Sequence, residues 1–160
     1  MRAPTPEVSA RMRRVKTSGT KPELDTARVL RHMRVKFRRN VRTLPGTPDF
    51  VLPDHGIAVF VHGCFWHGCP RCFRGTKRNA SWWRDKLARN RRRDRRKARH
   101  LRAIGFRVVQ LWEHDSPERV AMRLATATQR ATQTRRAAQT RRAAPKRRAS
   151  AQRGGFKRDR

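Results

Sequence analysis

Four side chains in this sequence have the types and spacing of a metal site: Cys64-x4-Cys69-x2-Cys72, and His114 far downstream. The Cys69–Cys72 pair has the knuckle spacing of a zinc site, and Cys64 offers a third thiolate. His114, just past an expected strand, is the choice for fourth ligand, with His62 and His67 as competitors. Four soft or borderline ligands with no open position describe a structural zinc rather than a catalytic one. The alternative is chance clustering or redox chemistry of the cysteines.

Two aspartates are the other chemical candidates. On a helical wheel Trp83, Leu87, Asn90, Asp94, Ala98 and Leu101 fall within about 80° of one another, among positions that are mostly Arg and Lys. Asp94 therefore sits on a core-facing stripe, where a carboxylate is costly unless paired or bound. It is either in a structural ion pair with a nearby arginine or a catalytic or orienting group, with His67 as its partner. Asp49 follows Pro48 at the entrance of a strand. It is either a turn residue or an oxygen ligand for a hard cation such as Mg²⁺.

Aromatic side chains complete the set. Trp82 and Trp83 lie beside basic residues, and Trp83 suits a core position. Phe65 and Trp66 interrupt a Gly- and Cys-rich loop that can hardly bury them. Exposed, rigidly held aromatics of this kind serve as wedges between base pairs.

The elements that must position these groups follow from local signals. Thr20-Pro22-Glu23 combines a cap, a first-turn proline and an acid three residues after the cap, which predicts a helix to about Met33. Short strands are expected at Lys36–Val41, Asp49–Leu52 and Ile57–Val61, the last apolar throughout as if buried on both faces. An irregular segment, 62–78, precedes a long helix from Asn79 to Gly105, then a strand from Phe106 to Glu113. Ser116-Pro117 opens a last short helix ending near Ala127. The order helix, three strands, helix, strand is an α/β layout closing one small sheet.

Residues 1–16 are expected to form a flexible basic arm and 17–127 one domain. Residues 128–160, built from Ala, Arg, Thr and Gln with a near-repeat Thr-Arg-Arg-Ala-Ala, lack large apolar side chains and are expected to be a disordered tail.

Charge narrows the partner. The chain carries 43 Lys and Arg against 11 Asp and Glu, a formal +32 over 160 residues. Such a field suits a polyanionic partner, and the arginine excess suits phosphate. A membrane partner is disfavoured, since the longest apolar run is far short of the roughly 20 residues needed to span a bilayer. No secretory signal is expected, and three clustered cysteines point to a reducing cytosol rather than a disulfide framework.

Leu44-Pro45-Gly46-Thr47-Pro48-Asp49 and His62-Gly63-Cys64-Phe65-Trp66-His67-Gly68-Cys69-Pro70 resemble the very short patch repair (Vsr) endonucleases. Ser18 to Glu23, Trp83 to Asp94 and Gly105 to His114 extend the resemblance over roughly residues 10–116. It implies a small restriction-endonuclease-like core acting as a monomer in the bacterial cytoplasm, at the nucleoid, on double-stranded DNA. The implied reaction is a Mg²⁺-dependent nick 5′ to the T of a T:G mismatch arising from deaminated 5-methylcytosine.

The same resemblance assigns roles. Asp49 and the Val61 backbone would hold Mg²⁺, His67 would do acid–base chemistry, and Asp94 would orient it, with Glu23 near the site. Cys64, Cys69, Cys72 and His114 would hold Zn²⁺, while Phe65, Trp66 and Trp83 would intercalate. One departure is that the second strand carries no acid–lysine pair, so His67 must replace that chemistry. The competing readings are a zinc-stapled DNA-binding protein without catalysis, a nuclease of the same fold with another target, and a basic ribosomal or chromatin-like protein.

Overall fold

A computed structural model describes residues 18–77 and 79–143. Helix α1 spans Lys21–His32 and starts as its sequence signals predict: Thr20 is extended at the cap, and Glu23 turns back to accept the Gly19 N–H at 2.9 Å and the Thr20 hydroxyl at 2.8 Å. Strands β1 (Arg38–Arg39), β2 (Phe50–Leu52) and β3 (Ile57–His62) follow, with a 3-10 turn at Pro53–His55 closed by Gly56 at φ 61°. Helix α2 covers Ala80–Ala103, strand β4 Arg107–Trp112 and helix α3 Pro117–Ala143.

The four strands lie in the order β1-β2-β3-β4. The first two pairings are antiparallel and β3–β4 is parallel, so the chain from Gly63 to Phe106 is a crossover carrying α2. Central strand β3 alternates between two cores. Ile57 and Val59 join Leu30, Leu111, Val120 and Leu124 beneath α1 and α3. Ala58 and Phe60 join Leu101 of α2 on the other face. This double coverage explains why its sequence is apolar at successive positions.

Two expectations are corrected. The first strand is only two residues long: Asn40 adopts φ 48°, which breaks the regular ladder, although the Asn40 and Val41 N–H groups still donate to the Asp49 and Pro48 carbonyls at 3.0 and 3.2 Å. The last helix does not stop near Ala127 but continues to Ala143, so residues 128–143 are helical rather than a disordered tail. Ala127 and Ala131, one turn apart, are both buried, and α3 packs against α1. Small side chains allow two helices to approach closely, and Ala and Arg are both strong helix formers, so large apolar residues are not required for this segment to order. Arg135 also donates to the Asp54 carbonyl at the β2–β3 turn. The rest of the expected tail, 144–160, and the arm, 1–16, lie outside the described residues. No helix among the described residues is long and apolar enough to cross a membrane.

Candidate active site and metal group

The chemistry-bearing residues collect at one end of the sheet. β3 and β4 are parallel and β2 runs the other way, so the C-terminal ends of β3 and β4 lie beside the entrance of β2. Ligand sites of open α/β sheets occur at such carboxyl ends. A cleft of about 820 Å³ opens there, lined by Glu23, Asp49, His62, His67, Asp94 and Glu113 among others.

Asp49 is held from below. The register pairs Phe50 with Val59, and one step further the Asp49 carboxylate Oδ2 accepts the Val61 N–H at 2.7 Å. Burial pushes its carboxyl up to about 6 despite that hydrogen bond, and the nearby charge of Glu23 adds to the rise. A carboxylate under this pressure is one that a bound cation would relieve. Glu23 itself is 4 % exposed, and both its oxygens are occupied in capping α1. The cap therefore accounts for Glu23 by itself, even though it lines the cleft.

Asp94 faces inward from the middle of α2, as the wheel predicts, and its Oδ2 accepts a hydrogen bond from His67 Nδ1 at 2.7 Å. Burial works to raise the Asp94 carboxyl, but the hydrogen bond and charge of His67 outweigh it and hold it below the usual range. With Nδ1 engaged by a carboxylate, the imidazole keeps Nε2 free for proton transfer. The backbone of this loop is tied to α2 twice more: Asn90 donates to the Trp66 carbonyl at 2.9 Å and Arg91 to the Gly68 carbonyl at 2.7 Å.

His62 enters the cleft in a role that spacing alone does not reveal. It was a competitor for the metal group, but it is buried at the end of β3 with its ring 4.2 Å from that of His67. Burial and the neighbouring His67 push its pKa down to about 4, so it is neutral at physiological pH. Ligand-type atoms of His62, His67 and Asp94 lie within 4.8 Å of one another. The available signal was its position: His62 extends β3 by one residue past Val61, whose backbone touches Asp49.

Cys64, Cys69, Cys72 and His114 form a second group, their donor atoms also within 4.8 Å of one another. His114 Nδ1 lies 3.0 Å from Cys64 Sγ, 3.2 Å from Cys72 Sγ and 3.7 Å from Cys69 Sγ. The fourth position thus belongs to His114, with His62 and His67 turned to the cleft. No disulfide joins these cysteines. Three thiols and an imidazole converging on one volume could hold a metal ion, and nothing else in the group would offset three thiolates. The Phe73 N–H donates to the Cys69 carbonyl at 2.9 Å, closing the Cys69–Cys72 turn, and the Cys69 N–H donates to the Cys64 carbonyl at 2.8 Å. Glu113 links the two groups: it lines the cleft, and its Oε2 accepts the Cys64 N–H at 2.9 Å.

The expected wedge residues also come together. Phe65 and Trp83 stand 4.7 Å apart and Trp66 and Trp83 6.0 Å apart, with Trp66 lining the cleft. Phe65 is 39 % exposed at the end of this aromatic group. Lys86 sits 4.6 Å from the centre of the Trp82 ring and 5.5 Å from that of Trp83.

A small α/β domain with an aspartate, two histidines and a metal-type cysteine group at one sheet end has the parts of a nuclease that works on a polyanion. Comparison with known proteins makes this specific. The family described as "DNA mismatch endonuclease Vsr" matches residues 5–72. A type II nicking enzyme, V.XorIIP of Xanthomonas oryzae, is 40% identical over 104 residues, which span 64% of this chain and 76% of the relative. The DNA mismatch endonuclease Vsr of Escherichia coli is 36% identical over 107 residues, 66% of this chain and 68% of the relative. A type II nicking enzyme, V.HpaIIP of Haemophilus parainfluenzae, is 33% identical over 117 residues, 70% and 83% of the two chains. The chain belongs to the Vsr family of DNA mismatch endonucleases.

Proposed function

We propose that this protein nicks one strand of duplex DNA on the 5′ side of the T in a T:G mismatch, starting the short-patch repair of deaminated 5-methylcytosine. The observation that carries the reading is the His67–Asp94 pair facing Asp49 across a single cleft whose wall also includes Trp66. The four-stranded sheet is then a trimmed restriction-endonuclease-like core.

The residues present fit Mg²⁺: Asp49 has a second carboxylate oxygen beyond the one bound to Val61, and its raised pKa marks a charge in want of a cation. Asp49 and the Val61 carbonyl would hold the ion, which when bound polarises the scissile phosphate and acidifies water. His67 Nε2 takes the proton of the attacking water as a P–O bond forms. The bond from phosphorus to the leaving sugar oxygen breaks, and that oxygen takes up a proton. Asp94 holds the imidazole in the tautomer that accepts at Nε2 and stabilises the imidazolium that results.

Cys64, Cys69, Cys72 and His114 fit Zn²⁺ by donor set, and the ion would fix the loop that carries Phe65, Trp66 and His67. Phe65, Trp66 and Trp83 would enter the stack beside the mismatch, at a cost of a few kcal/mol that is smallest for a mispaired step.

The test uses two end-labelled duplexes, one with a T:G mismatch in a CC(A/T)GG-type site and one fully paired, with and without Mg²⁺. A single Mg²⁺-dependent nick 5′ to the mismatched T, lost in Asp49→Ala, is the expected result. Equal cutting of both duplexes would replace the mismatch reading with a nuclease of another target. Binding without cutting would leave a zinc-stapled DNA-binding module.

A further inference from the structure

Strand β3, Ile57–His62, carries no lysine, yet a lysine from elsewhere lines the same cleft as Asp49. Lys97 reaches the cleft from α2, one turn past Asp94, and lines the same wall as Asp49, His62 and His67. The glycine-containing turn before β2 prepares its seat. A Cβ built on Gly46 would lie 2.6 Å from Lys97 Cγ, 2.6 Å from Cδ and 2.9 Å from Cβ. Three consecutive carbons of the stem therefore lie against a surface that only glycine provides, and Gly46 also sits at φ 79°. A stem pinned in this way loses little further freedom when its ammonium meets a ligand.

The charge at its end is not spent on the protein. Among the described residues Lys97 takes part in no ion pair. Its field is nonetheless felt by Asp49, Asp94 and His62. The other cations lining the cleft are placed differently. Arg93 donates to Asn90 Oδ1 at 2.9 Å on the same helix, and Arg42 is exposed. Lys97 is thus a half-buried residue in the cleft wall, its stem packed on Gly46 and its ammonium in no ion pair among the described residues.

We propose that Lys97 is a catalytic residue of this chain: its ammonium binds a non-bridging oxygen of the scissile phosphate and stabilises the charge that grows there as water attacks. The proposal rests on the nuclease reading above and adds a residue from a helix where β3 offers none. Lys97 donates three N–H groups and accepts nothing, so its ligand must be an anion or a carbonyl. The developing charge on phosphorus oxygens is where a fixed donor contributes most.

The experiment compares wild type, Lys97→Met and Lys97→Arg on two mismatched duplexes, one natural and one with a single uncharged methylphosphonate at the scissile link. Lys97→Met keeps the length of the stem on Gly46 and removes the charge. Its single-turnover nicking rate at saturating DNA is expected to fall about 100-fold, as for loss of one transition-state donor. Its affinity for the natural duplex is expected to fall less than tenfold, since many other basic groups share the backbone. Lys97→Arg, also the check if the methionine variant folds poorly, is expected to keep at least about a tenth of the wild-type rate because it restores the charge.

Binding measured without added magnesium closes the cycle. The methylphosphonate should weaken wild type several-fold and Lys97→Met hardly at all. A Met variant that nicks within threefold of wild type, an Arg variant no better than Met, or equal methylphosphonate penalties for Met and wild type would each overturn the assignment while leaving the nuclease standing. Failure of wild type to nick any duplex would instead remove the nuclease reading, and the binding cycle would still report whether Lys97 meets that phosphate.

Discussion

The cysteine group and the aspartate–histidine cleft lie at the same end of one sheet, yet they are built in opposite ways. Three of the four metal-type ligands come from one short loop, and only His114 is imported, from just beyond β4. The cleft instead draws Asp49 from before β2, His62 from the end of β3, His67 from the loop and Asp94 from α2. The first group is closed largely by its own loop, which α2 and Glu113 then tie down at Trp66, Gly68 and Cys64. The second has no local structure of its own and depends on the sheet and α2 to bring four distant residues together. The difference teaches which perturbation each can survive. Removing a ligand from the loop should cost structure, whereas removing a ligand from the cleft should cost only chemistry.

The strongest way to break that comparison is to change one residue in each. Cys69→Ser should unfold the loop, lower the melting temperature sharply and abolish nicking. The cysteine is 1 % exposed, and metal binding of this kind is part of the folding free energy. Asp49→Asn should lower nicking by about a thousandfold or more yet leave a folded protein. Its stability has a definite sign. Asp49 has a folded pKa of about 6 against 3.8, so the folded state holds the proton more tightly. The stability this confers is complete below about pH 4 and is lost as pH rises through 6. In Mg²⁺-free buffer at pH 7.5 the asparagine variant should therefore be at least as stable as wild type, by about 1–2 kcal/mol in denaturant unfolding. A cleft variant that melts as early as the cysteine variant would sink the distinction.

Next in size is Asp94→Asn, which keeps the shape but offers His67 the wrong hydrogen-bond partner. A rate loss of about 10²–10⁴ with unchanged DNA affinity is expected from single-turnover kinetics. The pH profile sharpens the picture further. Nicking should show an acid limb near pH 6 as Asp49 takes up a proton, and the limb should move to lower pH as Mg²⁺ is raised. A limb indifferent to Mg²⁺ would detach Asp49 from the metal. The smallest effect belongs to the rim: Phe65→Ala should lower the melting temperature far less than Cys69→Ser, because the ring is already 39 % exposed. It should weaken binding to mismatched duplex by about 1–3 kcal/mol, read by fluorescence anisotropy.

The same contrast explains what was legible in the sequence. The cysteine spacing is local, and so are the cap at Thr20, the apolar run of β3 and the stripe on α2 that turns Asp94 inward, so each could be read from neighbouring residues. The Asp49–Val61 contact depends on the β2–β3 register, and His62 becomes a cleft residue only because the loop folds His67 back against it. Lys97 was invisible for a related reason, since its place is set by a glycine fifty-one positions earlier that no periodicity connects to it. The helix beyond Ala127 leaves no mark in side-chain size, because it carries no large apolar residues. Ala127 and Ala131 are buried by close approach instead.

The position of His114 bears on the order in which the chain folds. It lies 50 residues from Cys64, across the whole crossover that separates the parallel strands β3 and β4. Parallel pairing must wait for such a loop to close, and closure is paid in chain entropy before any strand contact repays it. An ion captured early by the Cys-x2-Cys turn would wait for His114, and its arrival would bring the end of β4 beside the end of β3 in register. The metal would then act as a kinetic clamp, and refolding in its presence should be faster as well as more complete.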